Sequence, residues 1–194
     1  MLDYYARRAA EYDATSYGAI EGAELAELEH LEAFVAGLTS GRVLDVACGT
    51  GYLTRLLRGD VVAVDQSSEM LDLARERLPA ARLLLAVVPP FPFEGDSFDI
   101  VFTSHYYGHI VAVAERRSFI EEALRVAREL VVVEQTRRPG LPSELWDERE
   151  LRDGSRHRVF KRYFTPDELS AELGGDVAHA TSSFVAVRAK RGGR

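Results

Sequence analysis

The stretch VLDVACGTGYL, residues 43–53, joins an apolar run to an acidic residue, a glycine-rich loop and a second apolar pattern. A short apolar run of this kind is typical of a buried strand, and glycines placed after it allow the backbone to approach a ligand closely. The stretch therefore predicts a strand that ends in a ligand-binding loop. Several nucleotide-derived ligands suit such a loop, so its flanking residues must discriminate between them.

Around this loop, short apolar runs alternate with helical patterns through the first two-thirds of the chain, which is typical of an α/β fold with a parallel sheet covered by helices. The run DVVAVD, residues 60–65, has the continuous apolar interior of a strand buried on both faces. The predicted strands are 42–47, 60–65, 82–88, 98–104 and 130–136, and the predicted helices are 21–38, one from about 51, 68–78 and 115–126.

The pattern changes after Thr136, where prolines and glycines interrupt the chain. A turn at 153–155 predicts a hairpin, and Thr165-Pro166 begins a helix that the glycines at 174–175 end. Two short strands are expected within 176–190, followed by a loose tail. We expect one domain over 1–194, with leader helices forming a lid over 1–38 and an insertion over 138–163 that shapes a substrate site.

Composition limits the functional classes. The chain has 194 residues, 46% apolar and 28% charged, with a net charge of −7 from 31 acidic and 24 basic residues. A negative balance disfavours a broad nucleic-acid footprint, so a small-molecule partner is expected. The amino-terminal sequence has no long apolar core, and no apolar run reaches the roughly 18 residues of a membrane span, so a cytoplasmic protein without a membrane partner is predicted. With Cys48 as the single cysteine, neither a disulfide nor a metal site is expected.

The residues of the glycine loop discriminate between ligands. A P-loop needs a lysine after its last glycine, whereas Gly51 is followed by Tyr52 and Leu53. A dinucleotide fingerprint needs a third glycine where Thr54 stands, and Asp45 would repel a pyrophosphate. A cofactor that carries positive charge suits the acid, which favours S-adenosylmethionine (SAM), with its ammonium and sulfonium groups.

The sequence here resembles the class I SAM-dependent methyltransferases, especially the small single-domain group related to the ubiquinone and menaquinone C-methylases. DVACGTG, residues 45–51, resembles that family's D-x-G-x-G-x-G motif, with Ala47 in place of the first glycine. Asp65 matches the acid that accepts hydrogen bonds from the ribose hydroxyls, and residues 92–110, 118–134 and 163–175 resemble later family segments. The resemblance implies a Rossmann-like fold: a seven-stranded, mostly parallel sheet with an antiparallel last strand and helices on both faces.

It also implies SAM as the methyl donor, S-adenosylhomocysteine (SAH) as the product and no metal. Val87 occupies the position of the acid that contacts the adenine in this family. We therefore expect apolar packing and the backbone of Val88 to hold the adenine. A leader tyrosine, Tyr12, is expected to contact the cofactor or close the site. The expected cofactor-binding residues are Asp45, Ala47, Cys48, Gly49, Gly51, Asp65, Gln66, Met70, Val87, Val88, Ser104 and Tyr12.

Candidate catalytic residues follow the fourth strand, where open α/β sheets bind ligands. His105, Tyr106 and His109 are candidates for a base or for a wall of the acceptor pocket. The structural alternatives remain open: the histidines pack or hydrogen-bond at the sheet edge, and the tyrosine ring packs. The basic run GSRHRVFKR, residues 154–162, either attracts an anionic acceptor or forms a surface hairpin with the acids before it.

The sequence therefore predicts a SAM-dependent methyltransferase that acts on a small molecule, with an anionic acceptor as one option and a monomer or homodimer as the assembly. The first alternative is a SAM-binding or SAH-binding protein without catalysis, suggested by Ala47 and Val87. The second is an RNA-modifying methyltransferase that uses the basic run.

Overall fold

The structure is a computed structural model that describes residues 2–38 and 41–192. The predicted helix break at Ser40 and the last two residues of the predicted tail lie outside the described residues. The helices are Leu2–Arg8 (α1), Tyr12–Thr15 (α2), Ala23–Ala36 (α3), Ser68–Arg77 (α4), Val113–Val126 (α5) and Pro166–Leu173 (α6). The strands are Gly41–Val46 (β1), Gly59–Asp65 (β2), Arg82–Leu85 (β3), Phe98–Ser104 (β4), Ala127–Gln135 (β5), Glu144–Glu150 (β6), Arg156–Arg162 (β7), Asp176–Ala180 (β8) and Phe184–Lys190 (β9).

Seven of these strands form one sheet in the order β3-β2-β1-β4-β5-β9-β8. Strands β1 to β5 pair in parallel, and β9 pairs antiparallel with both β5 and β8. This confirms the predicted α/β architecture. The strand order reverses between β1 and β4, and ligands of open α/β sheets bind beyond the carboxyl ends of strands at such a point.

Both faces of the sheet are buried, because successive residues of each central strand point to opposite sides. Val43, Val61 and Ile100 pack on one face with Leu28 and Leu31 of α3. On the other face, the sheet residues pack against α5 and α6 through side chains that include Phe119 and Leu169. The carboxyl ends of β1, β2 and β4 are thereby held on a rigid scaffold.

Two local predictions need correction. The helix expected from about residue 51 is a single 3-10 turn, Thr54–Leu56, because β2 already begins at Gly59 and leaves no room for a longer helix. A Cβ at Gly59 would lie 2.1 Å from the carbonyl oxygen of Gly41, so the two strand starts meet at a position that only glycine can occupy. The third strand ends at Leu85 rather than at residue 88.

The predicted insertion contains an antiparallel hairpin, β6–β7, which forms a separate two-stranded sheet. Tyr4 of α1 is only 2% exposed and packs with Leu151 and Val159 of this hairpin. The amino-terminal segment is therefore docked onto the insertion, and the two lie together at one end of the sheet.

In the described part of the chain, the structure contains no helix that is long and apolar enough to span a membrane. Over the same residues, no cluster of three or more histidine, cysteine or acidic side chains is arranged to hold a metal ion.

Candidate functional site

The loop after β1 is built from left-handed backbone. The φ angles of Ala47, Gly49 and Gly51 are +58°, +55° and +77°. Glycine adopts this region readily, whereas an L-residue there costs about 1 to 2 kcal/mol. Ala47, which stands in place of the first glycine of the motif, adopts this glycine-favoured conformation at a cost in backbone strain.

Asp65, the last residue of β2, lies directly beside this loop. Its Oδ2 accepts a hydrogen bond from the Gly49 N–H at 2.8 Å, and its Oδ1 accepts one from the Ser67 N–H at 2.9 Å. Ser67 in turn caps α4, because its hydroxyl accepts a hydrogen bond from the Met70 N–H. Burial raises the pKa of Asp65. Both oxygens are thus fixed in place by backbone donors, which orients the carboxylate before any ligand arrives.

A cavity at the carboxyl ends of β1, β2 and β4, here called the strand-end cavity, gathers most of the predicted site residues. They come from separate parts of the sequence and meet because parallel strands end at one edge of the sheet. The predicted residues that line it are Tyr12, Ala47, Gly49, Asp65, Gln66, Met70, Val88, Ser104, His105, Tyr106 and His109.

Four predicted residues do not line the strand-end cavity. The Val87 side chain is 71% exposed, and its neighbours Ala86 and Val88 line the cavity instead. Gly51 packs against α4, where a Cβ would lie 2.7 Å from Leu78 Cδ1, and Cys48 packs near the same helix. The structure therefore places these three predicted cofactor-binding residues outside the wall of the strand-end cavity.

Asp45 is the fourth, and it lies beneath the loop with an exposure of 1%. Its Oδ2 accepts a hydrogen bond of 2.6 Å from the Thr54 hydroxyl, and its Oδ1 is buried without a partner among the described residues. Burial raises the pKa of Asp45 to about 7, and the nearby Asp65 adds to the shift. The acid that the sequence placed in contact with the cofactor therefore lies one layer below the cavity.

A second cavity, here called the hairpin cavity, lies between the amino-terminal segment, β5 and the β6–β7 hairpin. It shares Tyr5, Tyr12, His105 and His109 with the strand-end cavity. Its wall also carries three basic residues, Arg8, Arg149 and Lys161, and the acidic residues Glu134 and Glu24. The two cavities thus meet at a boundary of four aromatic and imidazole side chains.

The two histidines of this boundary differ in the hydrogen-bond partners of their ring nitrogens. Burial lowers the pKa of His105 to about 3, and its Nδ1 has no partner among the described residues. Burial also lowers the pKa of His109 to about 4, yet both of its ring nitrogens contact protein atoms. The backbone of His105 has a φ of +55°, a strained conformation that is common at functional sites.

The basic run 154–162 divides into two groups. Arg156 forms a salt bridge with Glu150 across the hairpin, and Arg162 forms one with Glu144 and another with Glu172. These arginines behave as the surface-hairpin alternative expects. Lys161 instead lines the hairpin cavity, and no salt bridge involves it in the part of the chain that the structure describes.

Several residues of the hairpin cavity have no counterpart in the sequence predictions: Tyr5, Arg8, Glu134 and Arg149. Glu134 had a usable signal, because it is an acid near the end of a buried strand, at the ligand-binding edge of the sheet. The others had none, since nothing in their local pattern tells which side of α1 or β6 faces the site.

Comparison with known proteins also indicates a methyltransferase. A family model described as a methyltransferase domain matches residues 43–129. An uncharacterised methyltransferase of Mycobacterium tuberculosis is 40% identical over 99 residues, which are 50% of this chain and 40% of that protein. A malonyl-[acyl-carrier protein] O-methyltransferase of Serratia marcescens is 33% identical over 120 residues, 60% of this chain and 46% of the relative. The matched segment thus spans less than half the length of either relative.

Solved structures match over the whole fold. The DhpI–SAH complex superposes with a TM-score of 0.75 at 30% identity, covering 100% of this chain and 96% of that one. The DhpI–SAM–HEP complex superposes with a TM-score of 0.77 at 29% identity, covering 96% and 94%. The fold and the cavity at the β1–β4 switch point define a Rossmann-like methyltransferase. The chain belongs to the class I SAM-dependent methyltransferases, whose cofactor is SAM.

Proposed function

We propose that this chain transfers a methyl group from SAM to a small-molecule acceptor that carries an anionic group. SAM occupies the strand-end cavity and the acceptor occupies the hairpin cavity. The observation that carries the proposal is the shared boundary: Tyr5, Tyr12, His105 and His109 line both cavities, so two ligands there would touch.

The charge of the hairpin cavity supports an anionic acceptor. Arg8 and Arg149 both donate a hydrogen bond to the Tyr4 hydroxyl, at 2.9 and 3.0 Å, which brings two guanidinium groups close together. Arg149 pairs with Asp147, but no salt bridge involves Arg8 among the described residues. Burial and the nearby Arg149 lower the pKa of Lys161 to about 8. Cations held together in this way attract a carboxylate, phosphoryl or sulfonate group.

The boundary itself is neutral near pH 7. Burial raises the pKa of Tyr5 and Tyr12 and lowers that of His105 and His109. In the transfer, a lone pair on the ionised oxygen of the anionic group forms the bond to the methyl carbon while the carbon–sulfur pair returns to sulfur, which releases SAH and leaves no proton to be removed. Holding both reactants in line at contact distance supplies much of the catalysis. At this low pKa His105 is a weak base, so it acts as a hydrogen-bond partner of the acceptor.

The test is turnover of methyl-labelled SAM with short carboxylates, phosphates and sulfonates, each matched with its fully esterified, uncharged methyl ester. We expect labelled product and stoichiometric SAH with anionic members only. Turnover of the neutral esters at equal rates would contradict the anionic acceptor. SAH binding without turnover of any acceptor would favour the non-catalytic alternative. RNA binding with a steep salt dependence would favour the RNA-modifying alternative.

A pair of variants on one strand makes this test specific. Lys161→Gln removes the β7 cation that lines the hairpin cavity and should raise the acceptor KM about tenfold or more, because charge-assisted contacts are worth roughly 1.5 to 3 kcal/mol. Arg156→Gln is the matched control, since Arg156 lies on the same strand, is paired with Glu150 and is absent from the cavity wall. Equal effects of the two substitutions would argue against an acceptor site at Lys161.

A further inference from the structure

Three elements that are far apart in the sequence meet at one histidine of the boundary. His109 follows β4, its Nδ1 lies 2.6 Å from the carbonyl oxygen of Phe160 in β7, and its Nε2 lies 3.2 Å from the hydroxyl of Tyr5 in α1. The site scaffold, the hairpin and the amino-terminal segment are therefore joined through a single imidazole ring.

The chemistry of these contacts fixes the tautomer of His109. A carbonyl oxygen only accepts hydrogen bonds, so Nδ1 must carry the hydrogen that Phe160 receives. The low pKa of His109, about 4, leaves the ring neutral near pH 7 with a single N–H. Nε2 is then a bare lone pair, and the Tyr5 hydroxyl donates to it. Neither nitrogen is left to take a proton from an acceptor.

Tyr5, whose hydroxyl donates to His109, lies between the two cavities. Its ring lines both the strand-end cavity and the hairpin cavity, and it lies edge-on to His109 with a centroid separation of 6.2 Å. Burial raises its pKa, so the phenol stays protonated and its only hydroxyl hydrogen is directed at His109. A wall that touches both ligands can fix the angle between them.

We propose that His109 is a positioning residue which holds Tyr5 against both ligands, and that Tyr5 aligns the acceptor with the methyl group. This assignment rests on the proposed function and replaces the expectation of His109 as a base. Misalignment by a fraction of an ångström lowers the rate of an in-line transfer more than it lowers binding. Loss of the Tyr5–His109 contact therefore acts on kcat rather than on the KM of either substrate.

The first test is spectroscopic and needs no acceptor. Long-range ¹H–¹⁵N spectra of the full chain, with SAH present and His109 assigned by the signals missing in His109→Gln, should show a neutral ring protonated at Nδ1. Tyr5→Phe should shift the Nε2 signal without changing the tautomer. Tyr12→Phe is the matched control, because Tyr12 lines the same two cavities and its hydroxyl has no hydrogen bond to any described residue. A ring protonated at Nε2, or an Nε2 signal that Tyr5→Phe leaves in place, would overturn the proposal.

The second test separates positioning from base catalysis. His109→Gln presents an amide oxygen to Tyr5 but cannot accept a proton, so it should keep kcat within about twofold, whereas His109→Ala should lose about fivefold, the value of one hydrogen bond. Tyr5→Phe should lose a similar factor, and Tyr5→Phe with His109→Ala should lose no more than the worse single variant. Equal losses in Gln and Ala would identify a base. Absence of SAH binding and turnover in the wild type would refute the proposed function, while the tautomer measurement, made without SAH, would still decide whether His109 holds Tyr5.

Discussion

The Asp13 carboxylate joins the amino-terminal segment to Arg77 at the end of α4, with a distance of 2.6 Å between Asp13 Oδ2 and Arg77 Nη2. Its Oδ1 accepts a hydrogen bond of 2.6 Å from the hydroxyl of Thr50, which lies in the glycine loop. The stacked rings of Tyr17 and Tyr52, with centroids 3.7 Å apart, add a second contact between the same two regions. The segment expected as a lid is thus fastened to the loop beside the strand-end cavity.

Loss of this fastening should speed release of the cofactor product. The Asp13 and Arg77 side chains are about one-third exposed, so the pair is worth about 1 kcal/mol. We expect Asp13→Asn to raise the SAH dissociation rate about fivefold in stopped-flow measurements, with a smaller effect at high salt. Asp3→Asn is the control, since among the described residues Asp3 pairs only with Arg7 on the exposed side of α1. An unchanged rate in Asp13→Asn would show that the segment does not retain the ligand.

Tyr106 is expected to act on cofactor binding. The Tyr106 hydroxyl donates to the Val88 carbonyl oxygen at 3.2 Å, and the side chain lines the strand-end cavity but not the hairpin cavity. Tyr106→Phe removes one hydrogen bond, worth about 1 kcal/mol, and should raise the KM for SAM up to about fivefold. Steady-state kinetics check this. A fall in kcat at an unchanged KM would instead place Tyr106 among the catalytic groups, as the sequence suggested.

Glu134 should make stability depend on pH. Burial raises its pKa to about 7, and its Oε1 accepts a hydrogen bond from the Gly108 N–H at 2.8 Å. A raised folded pKa means that the folded chain holds a proton which the unfolded chain has lost, so stability falls as the pH rises from the ordinary carboxyl range to about 7 and is level above it.

Glu134→Gln keeps an acceptor for Gly108 and removes this titration. The difference in unfolding free energy between wild type and variant should change by about 1 kcal/mol per pH unit from pH 5 to 7 in urea titrations. The subtraction cancels the parallel contribution of Asp45, whose pKa is raised in the same direction. A difference that stays constant over this range would mean that Glu134 is ionised throughout.

The strands and the cofactor side of the site could be predicted because their signals are local. A buried parallel strand is a continuous apolar run, and Gly49 and Asp65 directly follow or end such runs. The helix expected after Gly51 failed because its length depends on where β2 begins. Val87 lies outside the cavity wall because one residue of register decides whether a side chain faces the cavity or the solvent.

The acceptor side could not be predicted in the same way. Arg149 and Lys161 lie on the paired strands of the hairpin, and Arg8 of α1 joins them because Tyr4 packs against Leu151 and Val159. That contact is tertiary, and the sequence of α1 or of the hairpin alone does not indicate which face it covers. The basic run pointed to the right hairpin but not to the residue within it that lies in the cavity.

We propose that Asp65 and the glycine loop hold SAM, and calorimetric titration of the full chain with SAH tests this assignment. We predict one SAH per wild-type chain and binding at least about tenfold weaker in Asp65→Asn, because a carboxylate that accepts hydrogen bonds is replaced by an amide. Asp60→Asn, at the exposed start of the same strand, should bind as the wild type does. A wild-type chain that binds neither SAH nor SAM would show that the strand-end cavity is not a SAM site.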